Sequence, residues 1–165
     1  MTVRLQPLDP QAFRALEAGD RVVAEQLIGA PVPDEFQAPV EIWTFMLRLL
    51  RDDPAHADWL MNAVVAEGVI VGNAGFKGAP VDGQVELGYR ISSAHRRRGL
   101  AVVAVTLLLD RARHEPLVDR VIARIAPDNE ASVGVVTKAG FVPDGEWMHP
   151  RWGRQLQFVH RTPSS

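Results

Sequence analysis

The chain has 165 residues, 47% hydrophobic and 23% charged, and carries a formal net charge of −2. These values suit one globular domain over residues 1–165, soluble and with a real hydrophobic core, and give no electrostatic case for non-specific nucleic-acid binding. The absence of cysteine excludes a disulfide framework, a thiolate metal site and a cysteine nucleophile, and it fits a reducing cytoplasm. The opening Met1-Thr2-Val3-Arg4-Leu5 has no signal-peptide core, and no apolar run approaches the ~18 residues of a membrane span.

Val3, Leu5 and Leu8 flank Arg4 and Gln6, which predicts a first strand ended by Pro7 and Pro10. Asp9 as N-cap and Pro10 at the first helical position open a helix through Phe13, Leu16 and Glu17, stopped at Gly19. A second short helix follows from Asp20 to Gly29. The Pro-rich residues 30–34 read as a surface connector, with a substrate-side loop as the alternative. Ile42, Trp43, Phe45, Met46 and Leu49 share a helical face within residues 39–50, and Asp53-Pro54 opens another short helix.

Residues 63–66, 69–72 and 85–91 are then β-type runs separated by turns at Glu67-Gly68 and residues 80–83. A helix is expected over residues 102–113, its apolar stripe formed by Leu100, Val103, Ala104, Leu107 and Leu108. A buried strand over 121–125, a helix over 132–139 and two strands joined by a turn at 150–153 complete the chain. This order predicts an α+β fold with a mixed sheet.

The most informative stretch lies between the strand ending at Ile91 and the helix that follows. The first turn of any helix presents N–H groups without intrahelical partners at the positive end of its dipole. Gly99 removes a side chain that would block an approaching ligand, and Arg96, Arg97 and Arg98 add positive charge. Basic residues there oppose the dipole unless an anion joins them, so the residues point to a phosphate or pyrophosphate site. The spacing is neither that of a nucleotide P-loop nor that of a dinucleotide fold.

Arg96-x-x-Gly99-x-Ala101 resembles the coenzyme A pyrophosphate loop of the GNAT N-acetyltransferase superfamily. Asn129-Glu130-Ala131-Ser132 and Lys138-Ala139-Gly140-Phe141 resemble that family's later Asn-x-x-Ser and Lys-x-Gly-Phe segment. The resemblance is firm over about residues 63–145. It implies a mainly antiparallel sheet with helices on both faces and a central splayed pair of parallel strands. It further implies acetyl-CoA lying across that splay, with the backbone of Tyr89, Arg90 and Ile91 along the pantetheine arm. The N–H groups of Arg97, Arg98, Gly99, Leu100 and Ala101, extending to Val102, would hold the pyrophosphate, with Arg96 beside them. Asn129, a good N-cap in its own right, would also contact the pantetheine arm.

Acetyl transfer to an amine requires a neutral amine, stabilisation of an oxyanion and a proton for the thiolate. Glu86, on a mostly apolar strand beside the loop, is the base candidate; a structural ion pair with Arg90 or Arg124 is the alternative. Family members often carry a tyrosine acid seven residues after the Asn, where this chain has Val136. Ser132 is the fallback acid, or simply a first-turn helix serine, and the Ile91 N–H is the oxyanion donor by family analogy. The five histidines show no paired metal-ligand spacing, so no metal is expected; His95 is placed at the phosphate loop. His149 with Trp147 and Trp152 either borders the acceptor or builds a turn.

Gly75-Phe76-Lys77-Gly78 and Glu86-Leu87-Gly88-Tyr89 are most similar to the branch containing ribosomal-protein N-terminal acetyltransferases. The resemblance thus implies direct acetyl transfer to a primary amine of a small molecule or protein N-terminus, in a family where homodimers are common. Two rivals are a non-catalytic acyl-CoA-binding module and a nucleotide-phosphate enzyme. The second lacks a Walker-type lysine and an acidic Mg²⁺ cluster.

Overall fold

The computed structural model describes residues 2–37 and 39–162. Its strands are β1 (Val3–Pro7), β2 (Met61–Ala66), β3 (Val69–Phe76), β4 (Gln84–Ile91), β5 (Arg120–Ile125), β6 (Val142–His149) and β7 (Gly153–Arg161). Its helices are α1 (Pro10–Ala18), α2 (Arg21–Ile28), the single turn α3 (Asp34–Gln37), α4 (Glu41–Asp52), α5 (Leu100–Arg113) and α6 (Glu130–Lys138). Among the described residues the strands form one sheet ordered β1-β2-β3-β4-β5-β7-β6, in which only β4 and β5 run parallel.

Local chemistry fixes most boundaries. Asp9 and Asp20 accept hydrogen bonds from first-turn amides of α1 and α2, and both helices end on left-handed glycines, Gly19 and Gly29. Asp53 caps the 3-10 turn Pro54–Trp59 in the same way. Glu67 and Gly68 both take positive φ, at 51° and 76°, the geometry that a tight hairpin needs to match strand twist. The connector expected at 30–34 leads into α3, whose one turn is too short for a periodic signal.

Helices cover both sheet faces, giving two cores. On one, Leu100, Ala104, Val105 and Leu108 of α5 pack against Val64, Val71, Phe76 and Leu87. The stripe differs from the predicted one: Val103 is 38% exposed, while Val105, Leu109 and Ala112 are buried. Several apolar faces compete on this helix, and the sheet selects among them. On the other face, Phe13, Phe36 and Trp43 form a ring cluster above Met61, Ala63 and Val65. Each large side chain so buried contributes about 1.5–3 kcal/mol.

The sheet opens at its centre. β4 and β5 pair only through Gln84↔Arg120, Val85↔Val121 and Glu86↔Ile122. Beyond Glu86, β4 stays with β3 up to Gly72↔Ile91, while β5 follows β7 through Ala123 to Ile125. Gly72 lets β4 lean onto β3: a Cβ there would sit 2.0 Å from the Arg90 carbonyl oxygen. The two parallel strands therefore diverge from a shared start.

Candidate acyl-coenzyme A site

A cleft of about 930 Å³ occupies the divergence, bounded by β4 from Tyr89, the loop into α5, and the first turns of α5 and α6. Its first wall is a free strand edge. Successive strand residues direct their amides to opposite edges. The Glu86 carbonyl accepts from Lys77 N–H and the Ser92 N–H donates to Val71 O, both at 2.8 Å on the β3 side. Even-numbered residues therefore face β3, and Tyr89 and Ile91 face the gap left by β5. Arg90 belongs to the β3-facing set, so its backbone is engaged in the sheet, and what it offers the cleft is its side chain.

The second wall is the start of α5. Gly99 is its N-cap, in the left-handed conformation at φ 75°, and no side chain caps the helix. The N–H groups of Leu100, Ala101 and Val102 consequently have no helical acceptor, and these residues line the cleft. Arg97 adopts φ 62°, unusual for a residue with a Cβ. Arg96 folds the loop back by donating from Nε to Ile91 O at 3.0 Å. His95 lines the cleft with a buried Nδ1 that has no hydrogen-bond partner among the described residues. Arg98 is exposed and lies outside the cleft wall.

The third wall is α6. Asn129 caps it, its Oδ1 accepting from Ser132 N–H at 3.1 Å, and both residues line the cleft. Gly134 lines it too, and a Cβ there would meet nothing within 4 Å, so the helix leaves open space on this side. The sequence signal for that position was a glycine inside a helical run. Tyr89 Oη spans from β4 to donate to Ser132 O at 3.3 Å, and burial pushes its phenol above the ordinary value. Val136 is fully buried in the core and does not line the cleft.

Glu86 sits apart, at the last paired position before the opening and outside the cleft lining. One carboxylate oxygen takes Lys77 Nζ at 2.6 Å and the other takes Arg124 Nη1 at 3.0 Å. The Arg124 guanidinium lies 4.0 Å from the Trp147 ring centre, and its Nε donates to Gln157. The ion pair with Arg124 is the alternative that the sequence left open; Lys77 is a partner it did not indicate. His149 stacks on Trp152 at 4.3 Å and its Nδ1 accepts from the amides of Arg151 and Trp152, so this pair builds the β6–β7 turn. No group of three or more His, Asp or Glu residues suited to a metal occurs among the described residues.

Residues 2–142 match the family model described as an acetyltransferase (GNAT) domain. An uncharacterized N-acetyltransferase of Bacillus subtilis strain 168, YjdG, is 38% identical over 74 residues, 44% of each chain. The probable N-acetyltransferase YjcK of the same strain is 39% identical over 59 residues, 36% of this chain and 33% of the relative. The matched segments thus span less than half of either relative.

Solved structures resemble the whole fold. The ribosomal L7/L12 alpha-N-protein acetyltransferase RimL, in complex with coenzyme A, superposes with a TM-score of 0.71 at 15% identity, covering 100% of this chain and 97% of that one. Aminoglycoside acetyltransferase AAC(6')-Ib, with paromomycin and acetyl-CoA, gives 0.69 at 18% identity, covering 98% and 94%. The microcin C7 self-immunity acetyltransferase MccE, with acetyl-CoA and AMP, gives 0.67 at 13%, covering 96% and 92%. The matched model spans most of the chain, and this protein belongs to the GNAT acetyltransferase family.

Proposed function

We propose that the chain is an acetyl-CoA-dependent N-acetyltransferase that moves an acetyl group directly to a primary amine of a small molecule or protein N-terminus. The observation that carries this reading is the continuity of two unsatisfied backbone surfaces in one cleft. One is the edge of β4 at Tyr89 and at the Ile91 N–H, the Ile91 carbonyl being taken by Arg96 Nε; the other is the uncapped start of α5 among arginines. An extended arm bearing amides would satisfy the first, and a pyrophosphate the second. Coenzyme A carries both groups, 930 Å³ is ample for its inner half, and coenzyme A or acetyl-CoA occupies the related structures named above.

In this reading Leu100, Ala101 and Val102 donate backbone N–H groups to the phosphates, and Arg96 and Arg97 balance their charge. Asn129 shares its side chain between the α6 cap and the arm. Acetyl-CoA supplies an acyl carbon activated by a thiol leaving group. The Ile91 N–H is available to the carbonyl oxygen, and Ser132, on the first turn of α6, is the proton donor on the cleft side. Glu86 acts as the base toward the amine: each oxygen carries one cation and keeps a lone pair for a water or an amine. The chain works as a cytoplasmic enzyme. No helix among the described residues is long and apolar enough to cross a membrane.

The test is calorimetric titration of acetyl-CoA into the wild type and an Arg97→Ala/Gly99→Glu double variant, followed by turnover on a panel of small amines and peptide N-termini. Saturable binding lost in the variant, with turnover on at least one amine, is the expected result. No binding to the folded wild type overturns the reading. Binding without turnover across the panel would favour the non-catalytic acyl-CoA module, a reading that the ion-paired Glu86 and the buried Val136 support.

A further inference from the structure

We propose that Glu35 is a positioning residue for the phosphate-binding loop, a latch that reaches it from the helical layer on the opposite face of the sheet. Glu35 is 58 residues from the loop in sequence, yet its Oε2 accepts from the Ser93 backbone N–H at 2.9 Å and its Oε1 from the Ser93 hydroxyl. The contact lies at the point where the loop begins. Ser93 opens the 3-10 turn Ser93–His95, and Ser92, which holds the cap position, makes no side-chain capping bond. Glu35 therefore supplies from elsewhere in the fold the acceptor that a local cap would provide.

The loop needs such a restraint. After the turn the chain passes through Arg97 at φ 62° and Gly99 at φ 75° before α5 starts. A left-handed residue with a Cβ costs on the order of 1 kcal/mol and persists only where its surroundings fix it. The Arg96–Ile91 hydrogen bond fixes the far side of the turn, and Glu35 fixes the near side.

The latch is itself anchored. Phe36, the next residue, is 2% exposed and lies 5.2 Å from the Trp43 ring, so α3 is pinned into the second core. Arg21 adds an ion pair to Asp34. The two Ser93 bonds, then the charges of Arg96 and Arg90, hold the Glu35 carboxyl below the usual carboxylate value, so it is a charged acceptor at neutral pH. Glu35 does not line the cleft, so it acts through Ser93 and not by touching a ligand.

This inference rests on the cleft being the acetyl-CoA site. It is tested with the full chain, using acetyl-CoA as the calorimetric probe, in the wild type, Glu35→Ala, Glu35→Gln, Ser93→Ala and the Glu35→Ala/Ser93→Ala pair. Glu35→Ala is expected to weaken acetyl-CoA binding about tenfold, on the scale of one charge-assisted hydrogen bond. Glu35→Gln, which keeps an acceptor oxygen, should fall between it and the wild type. Glu35→Ala should cost less in the Ser93→Ala background than alone. In acetyl-CoA turnover KM should rise while kcat holds, and amides 92–99 should exchange faster while those inside α5 do not.

Unchanged acetyl-CoA affinity in a folded Glu35→Ala protein overturns the latch and leaves the cofactor reading standing. If Glu35→Ala does not fold, the same criterion applies to Glu35→Gln. A folded wild type that fails to bind acetyl-CoA overturns both.

Discussion

Two helices begin on the same cleft and are built in opposite ways. α6 is finished by its own sequence: Asn129 accepts from Ser132 N–H, and Glu130 places a negative charge in the first turn. α5 is left unfinished: Gly99 offers no capping side chain, the first turn holds no acid, and three arginines precede it. By local chemistry alone α6 is the better helix start and α5 the worse one. In the proposed reading the difference separates a wall from a receptor. α6 needs nothing from a ligand for its own stability, whereas α5 keeps its amides and positive potential available to an anion.

The strongest way to break that contrast is to give α5 what α6 has. Gly99→Asp supplies a capping carboxylate at a left-handed position that Asp tolerates. Calorimetry should show acetyl-CoA affinity falling by at least about 100-fold, because the new charge occupies the amides and repels phosphate. A variant that binds as tightly as wild type would show that α5 is no receptor. Next in size is a control outside both helix starts. Glu86→Gln removes the charge shared by Lys77 and Arg124 and should lower stability to denaturant by about 1–3 kcal/mol. It should abolish turnover and leave acetyl-CoA affinity unchanged.

Removing the cap of α6 has a smaller effect. Asn129→Ala should lower stability by about 1 kcal/mol, read from the midpoint of urea unfolding, with only a few-fold loss of acetyl-CoA affinity. Equal losses of affinity from this change and from Gly99→Asp would erase the distinction. The smallest effect concerns the bridge between β4 and α6. Burial raises the Tyr89 phenol above its ordinary value, so the unfolded chain ionises first and stability falls as pH rises past about 10. Tyr89→Phe should flatten that alkaline limb of a thermal-melt series while leaving its neutral-pH part almost unmoved.

Both helix starts were legible in the sequence, for one reason: a cap, a glycine and a run of arginines act on amides within a turn of themselves. The same holds for Asp9 as a cap, for Asp20 and Asp53 as the residues where helices open, and for Glu67-Gly68 as a hairpin turn. Glu86 was legible as a carboxylate in an apolar strand, but its pairing with Lys77 depends on β3 lying beside β4. The contact of Glu35 with Ser93 left no trace in either segment, since nothing near residue 35 marks a partner 58 positions away.

By itself the sequence determined the order and type of most elements and that the sheet is mixed, and it marked residues 96–102 as the stretch whose chemistry suits an anion. Those features follow from short-range hydrogen bonding, turn geometry and periodicity. Only the tertiary structure decided which edge of β4 is free, because that depends on β5 leaving after Ile122 to follow β7. It likewise decided that α5 buries Val105 and not Val103, that Val136 turns into the core, and that a carboxylate from α3 meets Ser93. Each of these choices is made by surfaces that meet only once the chain has packed.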